Sequence, residues 1–88
     1  MRGTIVLDNH AGRALRRKTA AVHARNVLDC AGGFRSGDGV YITFRAVDGG
    51  QSVIATAVAC CDASDLMQKP DALDVLVVRE QDVRLLWP

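Results

Sequence analysis

Between Gly32 and Gly50 the chain reads GGFRSGDGVYITFRAVDGG, a segment that holds six of the protein's eight glycines. Glycine at this density serves an enzyme loop, a phosphate cradle or a sharp corner in a small β-structure, and the residues between the glycines separate these uses. A phosphate-binding loop follows the pattern G-x-x-x-x-G-K-[ST], whose lysine reaches the phosphates; here Gly37 is followed by Asp38. Ser36-Gly37-Asp38-Gly39 instead has the composition of a reversing turn. Beyond it Val40, Ile42 and Phe44 alternate with Tyr41, Thr43 and Arg45, the period of two that divides a strand into an inner and an outer face. Asp48-Gly49-Gly50 then closes this strand with a hairpin signal.

Downstream, QSVIATAVACC (residues 51–61) is β-branched and almost continuously apolar, as expected of a strand buried on both faces or curling around a barrel. A second short helix is expected to start at Asp62 or Ser64, carry Leu66 and Met67, and stop before Pro70. The tail LDVLVVREQDVRLLWP reads as strand, tight polar turn, strand, with Trp87 packing the end of the core. Upstream, Thr4–Leu7 is a β-branched apolar run, and Asp8-Asn9 offers side chains that accept the free N–H groups of a following helix. That helix is expected over His10–Arg17, with Ala11, Ala14 and Leu15 as its apolar stripe and Arg13, Arg16 and Arg17 in solvent. Residues 18–26 are expected to be a connecting loop into a strand at Val27–Cys30, with Asn26, which tolerates positive φ, in a left-handed turn position. Six short strands and two short helices predict a mainly β, α+β domain whose sheet curls into a small mixed pseudo-barrel and so protects its edges. One domain fills residues 1–88.

Composition bounds what such a domain does. The chain carries a net charge of +1, but the residues through Arg45 hold eight bases against three acids, and those from Ala46 onward three bases against seven acids. Halves of opposite sign provide a basic binding face, an acidic docking face, or surfaces that neutralise each other in the fold. Cys30, Cys60 and Cys61 are an odd set without a C-x-x-C pair, which suggests neither a disulfide framework nor a zinc site. No nucleophile has a spacing motif to His10 or His23; Asp62 with Asp65 suits a helix's first turn, and Asp71 with Asp74 flanks a turn, rather than forming an acid–base pair. No catalysis, cofactor or metal is therefore expected of these residues. There is no apolar run long enough to cross a bilayer and no signal-peptide pattern at the N-terminus, so a cytoplasmic location is expected.

RGTIVLDNHAGRAL, ARNVLDCAGGFRSGDGVYI, IATAVACCDASDL and VLVVREQDVRLLW together resemble, in order and spacing, the PUA domain shared by pseudouridine synthases and archaeosine transglycosylases. The likeness is to the version at the C-terminus of glutamate 5-kinase, and it is carried by Asp8, Ala11, Ala14, Leu15, Val27, Gly33, Phe34, Gly37, Asp38 and Val40. It implies that Gly33 and Gly37 turn a barrel corner, that Phe34 plugs the interior and that Asp38 fixes the turn. It also implies that the first helix and the following loop border an RNA groove, which makes Arg13, Arg16, Arg17, Lys18, His23, Arg25 and Asn26 the candidate RNA contacts. The chain departs from the pattern with His10 before the first helix, Asn26 in place of a glycine, and Val78-Arg79-Glu80 in place of H-R-D. Three roles follow: an accessory or regulatory domain of a glutamate 5-kinase in proline biosynthesis, with the catalytic domain upstream; a stand-alone binder of structured RNA; and a protein-interaction domain that uses its acidic half. Tyr41 and Trp87 are too few to form a stacking platform for bases.

Overall fold

The structure is a computed structural model that describes residues 1–68 and 75–86. The expectations placed on Asp71, Asp74, Pro70 and Trp87 fall outside the described residues. In chain order the elements are β1 (Gly3–Leu7), α1 (Asn9–Arg17), β2 (Val22–His23), β3 (Val27–Ala31), β4 (Gly39–Arg45), β5 (Gln51–Val58), α2 (Ala63–Gln68), β6 (Leu76–Val78) and β7 (Arg84–Leu85), with 3-10 turns at Ala24–Asn26 and Glu80–Asp82. The domain is mainly β with two short helices, as its patterning predicts.

Five strands form a mixed sheet in the order β3-β1-β4-β5-β7, and β2 pairs with β6 in a second, two-stranded sheet. The β1–β4 pair is parallel, with Ile5 beside Ile42 and Leu7 beside Phe44; the other pairs are antiparallel. A bridge between Ala59 and Val78, with the Cys60 N–H donating to the Val77 carbonyl at 2.7 Å, carries the end of β5 onto β6 and joins the two sheets around one core. That core is built from Ile5, Leu7, Leu15, Val22, Phe34, Val40, Ile42, Phe44, Ile54, Val77 and Val78, among others. Val40, Ile42 and Phe44 supply the inner face of β4; of the alternate set Tyr41 and Arg45 are exposed, while Thr43 is buried beside the Ile5 carbonyl.

The segment read as a loop contains β2. Two residues are too few to leave a periodic signature, and the strand exists because Val22, 3% exposed, finds Val78 across the second sheet. Asn26 is not left-handed: among the described residues positive φ occurs at Gly32, Gly37 and Gly49 alone, and Asn26 closes a 3-10 turn instead. In α1 the inward residues are Gly12 and Leu15, whereas Ala14 is exposed. The helix is capped by Asp8, whose Oδ1 accepts the Ala11 N–H at 2.7 Å. It lies so close to β4 that a Cβ on Gly12 would collide with Cβ and the ring of Phe44. A glycine in a helix normally marks lost stability; here it is what lets the helix approach.

The corner over residues 32–38 is held from several sides. Gly32, at φ +87°, lies against Arg2 and Gly3, where a side chain would stand 2.5 Å from the Arg2 carbonyl. Gly33 has neither positive φ nor a neighbour that excludes a side chain, so the conformational demand falls one residue earlier than the pattern suggests. Gly37 has φ +95°. Asp38 Oδ2 accepts the Arg35 N–H at 2.9 Å, Asp62 Oδ1 accepts the Ser36 N–H at 2.8 Å, and the Phe34 carbonyl accepts the Ala63 N–H at 2.9 Å. Asp62 thus fastens the corner to the start of α2, with its side chain on Ser36 rather than on the helix. Phe34 itself is 1% exposed.

Two substitutions test this packing. Phe34→Ala is expected to lower stability by about 3–5 kcal/mol, a large share of the roughly 5–15 kcal/mol a small domain has. Gly12→Ala is expected to destabilise by about 1–3 kcal/mol through overpacking, although at an exposed helical site the same change stabilises by about 1 kcal/mol. Urea denaturation followed by circular dichroism reads both. A raised midpoint for Gly12→Ala would show that α1 does not rest on Phe44.

Candidate nucleic-acid interface

Arg13, Arg16 and Arg17 recur at the spacing that places three side chains on one face of a helix, and all three are exposed on α1. No acid stands in the helix's first turn, and Arg16 and Arg17 occupy its last turn, where the partial negative charge of the helix end favours cations. The Arg16 guanidinium lies 5.9 Å from the centroid of the Phe44 ring, so the residue that seats the helix also restrains one of its arginines.

A shallow depression lies among the three arginines, and two more adjoin it on the side of the helix start and the following loop. A cleft of about 230 Å³ is lined by Asn9, His10, Arg13, Ala14 and Arg17. A second, of about 200 Å³, runs between α1 and residues 20–22; its walls are mostly small and apolar, Ala11, Ala14, Ala20 and Ala21 among them, and Asn26 lies on its border. His10 and Ala14 line both, so the two adjoin along α1 in one groove region, cationic along the helix and apolar behind it. The far wall is tied to the near one through backbone: the Asn26 carbonyl accepts the Asp8 N–H at 3.2 Å, and Asp8 caps α1.

The candidate residues divide accordingly. Arg13 and Arg17 line the cleft, Arg16 lies on the same helix face, and Lys18 is exposed at the helix end, where its N–H donates to the Ala14 carbonyl at 3.2 Å. Asn26 borders the apolar part. His23 is half-buried in the turn that Asn26 closes, and Arg25 is exposed but already engaged within the protein. Sequence reasoning missed Asn9 and His10 as lining residues, and also the alanine walls. Ala20-Ala21 carries no chemistry that a motif would flag; its use comes from being small opposite Ala11 and Ala14.

No cysteine is among the residues that line these depressions. Burial pushes the Cys61 thiol above its ordinary value, with Asp65, Cys60, Asp62 and Cys30 adding to the effect, and burial followed by Asp29 does the same for Cys30. No helix among the described residues is long and apolar enough to cross a membrane.

Comparison with solved structures identifies the architecture. A PUA domain from Aeropyrum pernix K1, solved as a tartrate complex, superposes with a TM-score of 0.81 at 24% identity, over 100% of this chain and 45% of that one. The fold is that of a PUA domain. A conserved PUA domain protein from Thermoplasma acidophilum matches at 0.67 and 18% identity, over 88% of this chain and 47% of the other. NSun6 from Pyrococcus horikoshii, solved with SFG, matches at 0.65 and 17% identity, over 98% of this chain and 19% of that chain. The PUA fold of this protein therefore spans less than half the length of each of these chains. No protein-family model matches the sequence, and no characterised protein is significantly similar to it in sequence.

The raised thiols give a pH test. A thiol whose value in the folded state exceeds that in the unfolded state contributes stability that is complete below the unfolded value and is lost as pH rises through the folded value. The urea midpoint of the wild type is expected to fall above about pH 8.5, where free thiols ionise. Cys30→Ala/Cys61→Ala is expected to flatten that decline; an equal decline in the double variant would assign it to other groups.

Proposed function

We propose that this domain is a non-catalytic RNA-binding module that seats the end of a stem, or the single strand flanking it, along α1 and the loop that follows. The observation that carries the reading is the groove: three exposed guanidiniums on one helix face beside a slot with apolar walls. Phosphate contacts from arginines position a nucleic acid, and an apolar slot accepts the face of an unstacked base. The PUA fold supports the same reading. In these three solved structures the matched fold makes up less than half of a longer chain, which supports a module serving a larger protein.

A second reading rests on the motif residues Asp8, Ala11, Ala14, Leu15, Gly33, Phe34, Gly37 and Asp38: an accessory domain of a cytoplasmic glutamate 5-kinase, behind an upstream kinase domain. The sequence motif is its whole support. An upstream catalytic domain in the parent reading frame, in the usual range of roughly 100–250 residues or more, would favour it, and a frame without one would end it.

The RNA reading predicts a steep salt dependence. Binding of a hairpin RNA with a four-nucleotide 3′ tail, followed by fluorescence anisotropy, is expected to weaken with a log–log slope of about −0.7 to −0.9 for each phosphate neutralised. Arg13→Ala/Arg16→Ala/Arg17→Ala is expected to reduce the magnitude of that slope by about 2–3 and to leave the fold intact. No binding at low salt, or binding indifferent to the triple substitution, would overturn the reading.

A further inference from the structure

Asn26 lines the groove's apolar slot, and most of its polar groups are already committed. Its carbonyl accepts the Asp8 N–H at 3.2 Å, its side-chain Oδ1 accepts the His23 N–H at 3.2 Å, and its own N–H faces the His23 ring in a capping box across the 3-10 turn. A carboxamide has one end that accepts and one that donates, told apart by the partners they meet. With Oδ1 held against a backbone N–H, the Nδ2 amino group is the end left over. No protein acceptor meets it among the described residues, and no buried side-chain nitrogen or oxygen there lacks a partner, so this amino group is not sealed in the interior; Asn26 itself is half-buried and lines the groove.

We propose that Asn26 is a binding residue of the groove that acts through its amino group, donating a hydrogen bond to an acceptor atom of an unpaired RNA base. The inference rests on the RNA reading and goes beyond it by assigning one contact and its polarity. A base edge rather than a phosphate is the partner, because the slot beside Asn26 is walled by alanines, Leu7, Leu15 and Val22, while the arginines line the other part of the groove. A base is flat, has an apolar face for such walls and carries carbonyl oxygens and ring nitrogens along its edge. The two-pronged pairing of an asparagine with adenine uses both ends of the amide; here one of the two lone pairs of the accepting end is committed to the His23 N–H, and the amino group is the end without a protein partner. The contact assigned to Asn26 is therefore the donor. It is also specific to this chain's sequence, since the pattern it resembles places glycine at this position.

The substitution Asn26→Asp separates this role from a structural one. It preserves shape and the acceptor that caps the His23 N–H, but it replaces the donor with an oxygen. Asn26→Ala removes the donor without adding charge. Both are compared with wild type by anisotropy on the same tailed hairpin RNA at about 50 and 200 mM salt, alongside urea midpoints. If Asn26 donates to a base, Asn26→Asp keeps a midpoint near wild type yet binds about ten- to a hundredfold more weakly at both salt concentrations, and Asn26→Ala also loses at least tenfold. If Asn26 is only a cap, Asn26→Asp binds like wild type apart from a small deficit that vanishes at high salt, where added charge is screened; that result overturns the inference while leaving RNA binding standing. Absence of wild-type binding at low salt would instead remove the RNA reading, and this inference with it.

Discussion

The burial of Phe34 at the corner between Gly32 and Asp38 is the constraint on which the remaining structure depends. Four parts of the chain meet there. The Arg2 N–H donates to the Gly39 carbonyl at 2.9 Å, which sets the start of β1 beside the start of β4; Gly37 and Asp38 exchange backbone hydrogen bonds with Ala59 at 2.8 and 2.9 Å, which fixes the end of β5; and the Phe34 carbonyl receives the first N–H of α2. A Cβ on Gly3 would collide with the Ala31 carbonyl and stand 2.7 Å from the Phe34 ring. An aromatic side chain contributes much of the core of so small a domain. The buried ring supplies the driving force, and the turn's hydrogen bonds give it one position.

From that corner the constraint passes along β4 to the arginine-bearing face of α1. β4 begins at Gly39 and delivers Phe44 to the underside of α1, where Gly12 permits contact and Arg16 extends over the ring. Asp8 ends β1 and caps α1, and its backbone N–H is bonded to Asn26 on the opposite wall of the groove. The groove's walls are thus held by core packing on one side and, on the other, by the Asp8–Asn26 backbone hydrogen bond together with the pairing of β2 with β6. Its chemistry is set by surface residues that the core does not require.

The charge asymmetry of the sequence acquires meaning in the same way. The bases on α1 face solvent together, whereas several acids act within the protein: Asp38 and Asp62 accept N–H groups of the corner, and Asp82 pairs with Arg79 at 2.9 Å. Carboxylates engaged with backbone donors are poor material for an acidic docking face, and this weighs toward the basic groove as the working surface.

What could be read from the sequence were features whose physics is local: the alternation over 40–45, the Asp-Gly-Gly hairpin, the Asp8 cap, the arginine face of α1 and the apolar character of Phe34. Each depends on a few neighbouring residues, so composition and period suffice. What only the tertiary structure decided were features made by residues far apart in the chain. β2 exists through its pairing with β6; Gly32 rather than Gly33 carries the left-handed turn because Arg2 and Gly3 approach it; and Gly12 is glycine on account of Phe44. Asn26 shows the division most plainly, since its residue type suggested positive φ, while the neighbours that captured its carbonyl and side-chain oxygen gave it a 3-10 turn and left its amino group without a partner among the described residues. A local pattern states what a residue is able to do, and the long-range contacts determine which of those abilities the fold uses.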